Sequence, residues 1–248
     1  MIELGLILIL VSALLLLVLT VRKRKSPAKF RELSAFTRLS QAIGLSVEDG
    51  TRLHISLGRG DLLTSRGASG LVGLSFVRNI AERTSVSDSP LVATAGDPVL
   101  ALLTQDTLRA GYEAAGVGDL FSPNSGRLAG MSPFGYAAGV MPIVGDENVS
   151  ANVLIGNFGA EIGLLAESAE RERALTIAAS DDLTAQAVLY ASAEEPLIGE
   201  ETFAAGAYLG ISASHTASLT VQDILRWLVI VILLTGVGVK ILQSLGIF

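Results

Sequence analysis

The chain contains no cysteine, only two histidines, few aromatic residues and, over most of its length, no lysine. The absence of cysteine excludes disulfides, thiolate nucleophiles, iron–sulfur clusters and cysteine zinc sites. All four lysines lie near the chain ends, at Lys23, Lys25, Lys29 and Lys240. Residues 32–226 therefore offer no lysine for a phosphate-binding loop, a Schiff base or a kinase-type site. This composition argues against common nucleotide hydrolysis and phosphotransfer.

The same central stretch is acidic. From Glu32 to Arg226 it has 11 arginines and 23 acidic residues, which leaves a net charge of −12. An acidic surface repels a phosphate backbone, so we expect no nucleic-acid partner. Neither His54 nor His215 has a serine, cysteine or metal-ligand motif beside it, and the chain has no G-x-S-x-G segment. The sequence thus indicates no catalytic residue, no metal site and no cofactor.

Two long apolar runs lie at the ends of the chain, and each can cross a hydrocarbon core of about 30 Å as a helix. The basic residues follow the first run instead of preceding it, which argues against a cleaved signal peptide. They are Arg22, Lys23, Arg24, Lys25, Lys29 and Arg31. Such an excess of positive charge predicts the cytoplasmic side, and a secreted or periplasmic domain is the less favoured alternative.

These observations predict four segments. They are a transmembrane helix at 1–21, a basic cytoplasmic linker at 22–31, a cytoplasmic domain at 32–219 and a second transmembrane helix at 220–248. Both chain ends would then lie outside a bacterial cytoplasmic membrane, with the lipid bilayer as a partner.

Two charged residues stand near the outer ends of these predicted spans. Lys240 lies within the second apolar run, and Glu3 lies at the start of the first. A cation inside hydrocarbon is costly and usually has a partner or a functional role. Either Lys240 pairs with Glu3 in neighbouring antiparallel helices, or its side chain extends to the outer surface; the sequence leaves both open.

Between the runs, short apolar segments alternate with segments of helical periodicity. Strands are predicted at 52–57, 91–94, 153–155 and 175–178, and helices at 30–43, 71–83, 98–115, 160–173, 182–192 and 200–209. This alternation predicts an α/β, Rossmann-like layered domain with a largely parallel sheet, flanked by the two transmembrane helices. For residues 117–150, a helix that begins at Pro133 and a hairpin that turns at 145–148 are both open, and the hairpin is slightly favoured.

Glycines and carboxylates follow the predicted strands. Open α/β sheets bind ligands at the carboxyl ends of their strands, so these residues form a candidate site for an unidentified small molecule. The candidate ligand-binding residues are Gly58, Arg59, Gly60, Asp61, Gly96, Asp97 and Asp181. Tight turns would equally explain the glycines. Helix capping explains the carboxylates, including Asp182, better than a divalent metal does.

Three stretches, residues 53–60, 84–88 and 186–201, resemble an uncharacterised family of bacterial membrane proteins of the Chloroflexota type that carries a domain of unknown function. The resemblance covers most of the central domain and implies a bacterial membrane setting without an activity. Because the domain is anchored at both ends and lacks catalytic residues, we expect a self-assembling, homo-oligomeric scaffold. A membrane-attached small-molecule sensor is the alternative, and a metal-dependent enzyme is less favoured.

The charge pattern predicts the orientation of the chain in the membrane. A tag inserted near Asn148 should be accessible from the cytoplasm, and a reporter fused after Phe248 should lie outside. Neutral replacements of the six basic residues from Arg22 to Arg31 should give a mixture of orientations, because positive residues next to a span are kept on the cytoplasmic side. Cytoplasmic labelling of the C-terminus in the unaltered protein would contradict this orientation.

Overall fold

The computed structural model describes residues 2–24, 30–64, 67–210 and 212–244. The helices are α1 Ile2–Lys23, α2 Ser34–Asp49, α3 Ala68–Thr84, α4 Pro98–Ala114, α5 Pro133–Asp146, α6 Ile162–Arg171, α7 Leu183–Ser192, α8 Glu201–Tyr208 and α9 Ala213–Ser244. The strands are β1 Arg52–Gly58, β2 Val92–Ala95, β3 Gly126–Leu128, β4 Val149–Asn157, β5 Leu175–Ser180 and β6 Glu195–Leu197. Two short 3-10 helices, Gly118–Leu120 and Pro123–Ser125, precede β3.

The chain divides into two compact units, Met1–Phe30 with Gly210–Phe248, and Arg31–Leu209. The first unit contains α1 and α9, which pack against each other. By length and composition both helices could cross a membrane. Two residues of the basic cluster, Lys25 and Lys29, lie outside the described residues.

The second unit contains one all-parallel sheet with the strand order β3-β2-β1-β4-β5-β6. The chain moves outward from β1 through β2 to β3, and then returns to the other side of β1 to form β4. The predicted α/β, Rossmann-like architecture is confirmed. The return places a reversal of strand order between β1 and β4, so the chain leaves the carboxyl ends of these two strands in opposite directions.

Helices cover both faces of the sheet, and the alternation of side chains along β1 separates two cores. Leu53, Ile55 and Leu57 belong to the larger core, under α2, α3, α4 and α8. The smaller core lies under α5, α6 and α7, and includes Tyr136 and Phe158. Strands with both faces covered are mostly apolar, which explains why the alternation of strands and helices was visible in the sequence.

The favoured hairpin at residues 136–155 is wrong, because residues 133–146 form helix α5. Pro133 occupies the first turn, where its missing N–H is not needed, and the Ser132 hydroxyl accepts a hydrogen bond from the Gly135 N–H at 3.1 Å. The polar segment at 145–148 ends this helix instead of joining two strands. Asn148 adopts a φ of 53°, and β4 starts at the next residue.

Candidate functional site

The carboxyl edge of the parallel sheet carries all the candidate ligand-binding residues. Gly58, at the end of β1, leads into Arg59, Gly60 and Asp61, while Gly96 and Asp97 follow β2 and Asp181 follows β5. The structure adds the segment after β4, residues 158–161, to this edge. We use the term crevice for the region just outside the carboxyl ends of β1 and β4, bordered by Gly58, Arg59, Asn157 and Gly159.

Two glycines let the backbones of β1 and β4 approach closely at this crevice. A Cβ atom on Gly156 would lie 1.9 Å from the Leu57 carbonyl oxygen, and one on Gly58 would lie 2.3 Å from the Asn157 carbonyl oxygen. Gly58 also has a φ of 69°, which disfavours other residues. The Arg59 N–H donates to the Asn157 carbonyl oxygen at 2.8 Å, and thereby joins the two strand ends. Only glycine permits this approach.

Arg59 extends across the ends of the strands to Glu161. Its Nε and Nη2 atoms donate to Glu161 Oε1 at 3.0 and 2.7 Å. The same oxygen accepts the Gly159 N–H at 3.0 Å. Gly96 leaves room for the arginine, because a Cβ atom there would lie 2.3 Å from Arg59 Cγ. Three donors from the ends of β1 and β4 therefore meet at one carboxylate oxygen.

The electrostatics of Glu161 follow from this geometry. Its side chain is only 4% exposed, whereas that of Arg59 is 21% exposed. Burial alone would raise the pKa of the Glu161 carboxyl, but the Gly159 N–H and the Arg59 guanidinium stabilise its charged form and leave that pKa below the ordinary value. The predicted site residues do not include Glu161. The pattern that marks this residue is a carboxylate two residues after a glycine in the segment that follows a strand, but that pattern does not identify Arg59 as its partner.

The other carboxylates at this edge have local structural partners. Asp97 Oδ1 accepts from the Leu100 N–H at 2.8 Å, and Asp182 Oδ1 accepts from the Ala185 N–H at 3.0 Å, so each caps a helix. Asp61 accepts from the Leu63 N–H at 2.9 Å. Asp181 accepts from Asn157 Nδ2 at 2.7 Å. Within the described residues, no three His, Asp or Glu side chains come together as a metal site.

A buried polar seam crosses the sheet beneath the crevice. We give this name to His54, Asn152, Thr94, Ser56 and Tyr136, which are all less than 1% exposed. The His54 ring contacts Asn152 Oδ1 at 2.7 Å through Nδ1 and Thr94 Oγ1 at 3.0 Å through Nε2. The Tyr136 hydroxyl contacts Ser56 Oγ at 2.6 Å and accepts from the Gly58 N–H at 3.3 Å. The seam therefore links α5 to the strand ends that border the crevice.

The seam holds a neutral histidine. Because Asn152 Oδ1 accepts, Nδ1 of His54 carries the proton and Nε2 accepts from the Thr94 hydroxyl. Burial lowers the pKa of His54 to about 4, against the opposing effect of its Asn152 hydrogen bond. Among the described residues, Asn152 Nδ2 has no hydrogen-bond partner. The predicted strand at 52–57 includes His54, but its partners Asn152 and Thr94 lie on β4 and β2, so no local pattern identifies them.

Two surface clefts lie at the opposite edge of the sheet. One of about 450 Å³ is lined by residues that include Glu170, Arg173 and Glu194. The other, of about 290 Å³, is lined by residues that include Arg38 and Asp49. Both border the segments that enter the strands, so neither contains the candidate ligand-binding residues.

In the helical unit, the side chains of Glu3 and Lys240 are both exposed. The ion pairs found within the described ranges do not include one between these two residues. A Glu3–Lys240 pair in the membrane therefore stays a prediction.

These features define the protein as a doubly wound, all-parallel α/β domain joined to two long apolar helices. The chain belongs to the family described as Domain of unknown function (DUF6754), whose profile matches residues 1–247. The expected membership of a family with a domain of unknown function is thereby confirmed. No curated protein and no solved structure matches this chain significantly.

The neutral His54 predicts a pH dependence of stability. Its folded pKa of about 4 lies below the ordinary value of 6.5, so the unfolded chain binds more protons between these values. The free energy of unfolding should therefore fall as the pH drops from about 6.5 towards 4, by up to about 3 kcal/mol. Denaturant titrations of the purified protein at several pH values measure this slope.

His54→Gln provides the control for this prediction. The glutamine should lower stability at pH 7 because the seam is disturbed, yet it should flatten the slope between pH 6.5 and 5, above the range where most carboxylates titrate. An unchanged slope in the variant would show that another group is responsible.

Proposed function

We propose that Arg31–Leu209 is a ligand-binding module attached to a membrane by α1 and α9, and that it binds a small molecule in the crevice. The observation that carries this proposal is the reversal of strand order between β1 and β4. Open α/β sheets bind their ligands at such a point, outside the carboxyl ends of the strands, because the two flanking connections leave in opposite directions.

The borders of the crevice support binding. Arg59, between the buried Gly58 and Gly60, is partly exposed, so a polar ligand outside the strand ends could reach its side chain. Arg59, Asn157 and Asp181 supply a cation, an amide and a carboxylate, which together can orient a polar ligand. The polar seam below the crevice holds these strand ends in place through the Tyr136 hydroxyl, which contacts Gly58. The arrangement favours a binding module over an enzyme.

We further propose that the module lies in the cytoplasm of a bacterial cell. Arg22, Lys23 and Arg24 stand at the end of α1, adjacent in sequence to the α/β domain. Positive residues next to a span are retained on the cytoplasmic side, which supports this orientation. In that position the module could sense a cytoplasmic metabolite.

Ligand binding can be tested by thermal unfolding of the full chain in mild detergent against a panel of nucleotides, divalent metals and metabolites. A ligand that binds the folded state should raise the unfolding midpoint, by an amount that grows with its concentration. Gly60→Val should abolish this rise, because Gly60 follows the end of β1 at the crevice and a branched side chain there would take up space beside the ligand.

Gly44→Val is the matched control, since Gly44 lies on α2 with open space around its Cα and away from the crevice. It should retain the ligand-induced rise. Circular dichroism should show that both variants are folded. If Gly60→Val binds the panel ligand with unchanged affinity, the ligand site lies elsewhere and the proposal fails.

A second candidate function is self-assembly, and a set of exposed apolar side chains at the same edge favours it. The apolar rim consists of Leu63, Val99, Met131, Phe134 and Leu183, which follow β1, β2, β3 and β5. Their exposed fractions are 91%, 51%, 68%, 75% and 80%. Exposed apolar side chains that share one edge of a domain support a role in a protein interface. Copies anchored in one membrane would meet with a limited range of orientations, which supports lateral assembly.

Self-assembly predicts a particle well above the 25.8 kDa of one chain, after the detergent mass is subtracted. Phe134→Glu with Met131→Glu should reduce the particle size, because charges in an apolar interface are costly to desolvate. Leu45→Glu, at a residue 55% exposed on α2, is the control and should leave the size unchanged. Light scattering coupled to size-exclusion chromatography measures the mass. A monomer in several mild detergents would contradict self-assembly.

A further inference from the structure

The carboxylate of Glu161 occupies a set of donors that is built like an anion-binding site. Its Oε1 atom accepts from Arg59 Nε, Arg59 Nη2 and the Gly159 N–H, at 3.0, 2.7 and 3.0 Å. We call these three donors the anion seat. Two come from the segment after β1 and one from the segment after β4, so the seat spans the crevice at the reversal of strand order.

Helix capping does not explain the position of Glu161. The residue stands directly before α6, but its side chain makes no capping hydrogen bond. The Ile162 and Gly163 N–H groups donate to the carbonyl oxygens of Gly159 and Ala160 at 3.2 Å. The carboxylate instead turns back to the Gly159 N–H, two residues earlier. The carboxylate therefore serves the seat and not the helix.

Glycines make room for both side chains that meet at the seat. A Cβ atom on Gly96 would overlap Arg59 Cγ, so the glycine lets the arginine stem lie against the end of β2. Gly159 has a similar role, because a Cβ atom there would lie 2.6 Å from Glu161 Oε2. A guanidinium that offers two donors to one side matches the geometry of a carboxylate or phosphate group.

We propose that the anion seat is the recognition site for an oxyanion group of the ligand, a phosphate or a carboxylate, and that Glu161 is an internal competitor which this group displaces. The inference rests on the proposed function, because it assigns a chemical class to the ligand of the crevice. The ligand oxyanion binds Arg59 and the Gly159 N–H, and the Glu161 side chain moves out to water. Glu161 thereby keeps the crevice closed until an anionic ligand reaches a sufficient concentration.

The first test asks whether the seat binds anions once the internal carboxylate is removed. Full-length Glu161→Ala in mild detergent is heated in chloride, acetate or phosphate at constant ionic strength. The seat should bind acetate or phosphate saturably and raise the unfolding midpoint by about 3–5 °C at ten times the dissociation constant. The unaltered protein should show no such rise with acetate, because Glu161 fills the seat.

Two controls separate the seat from general salt effects. Arg59→Met with Glu161→Ala should lose the rise, since the guanidinium supplies two of the three donors. Glu167→Ala removes an exposed carboxylate that pairs with Arg171 on α6, and it should behave like the unaltered protein. If Glu161→Ala is not folded in chloride, Glu161→Gln takes its place in every arm. An equal response in all variants would overturn the proposal and leave Arg59–Glu161 as a structural clamp between strands.

The second test separates this inference from the proposed function. For any anionic panel ligand that binds, Glu161→Gln should lower the dissociation constant at least tenfold, and Arg59→Met should raise it by a similar factor. If binding of a ligand is lost in Gly60→Val but is unaffected by Glu161→Gln and Arg59→Met, the ligand site in the crevice is supported and the anion seat is overturned. If the anion seat responds to acetate but no variant binds any panel molecule, the anion seat is supported and small-molecule sensing is contradicted. The two failures are thus distinguishable.

Discussion

The contact between the backbones of β1 and β4 is the constraint on which the rest of the α/β domain depends. Gly58 and Gly156 let the carboxyl ends of these central strands approach to distances that no side chain would permit. Because the strand order reverses there, the same contact joins the two halves of the sheet and borders the crevice. The same strand pair places His54 opposite Asn152, in the register that precedes an irregularity between Ser56 and Gly58. One pair of strands therefore positions both the candidate site and the polar seam.

The polar seam connects the smaller core to that contact. A neutral His54 and two hydroxyl side chains are buried between sheet and α5, where each needs a hydrogen-bond partner. The Tyr136 hydroxyl satisfies several of them at once and reaches the Gly58 N–H as well. A shift of α5 would therefore break hydrogen bonds in the sheet and at the crevice together. The seam makes the position of this helix specific, whereas apolar packing alone would tolerate small displacements.

The sequence predicted the elements whose signals are local. Apolar strands such as Leu175–Ser180 and the Asp97 and Asp182 caps depend on neighbouring residues, so their patterns could be recognised. The three-residue strands β3 and β6 were missed because they are too short for periodicity and gain stability only from β2 and β5. The polar segment 145–148 resembled a hairpin turn, but burial of the residues of α5 decided in favour of a helix. The Arg59–Glu161 pair joins residues 102 positions apart, so no local pattern could reveal it.

The strand order also has a consequence for the way this domain is made. Roughly 90 residues separate the end of β1 from the start of β4, its main neighbour. At a synthesis rate of about 5–20 residues per second, the ribosome needs roughly 5–20 s to produce the segment between them. During that time β1 can pair with β2 on one side only, and its other edge stays available to any strand that it meets. The nascent domain is therefore most exposed to aggregation before Val149 emerges, and a chaperone that shields β1 would act in this interval.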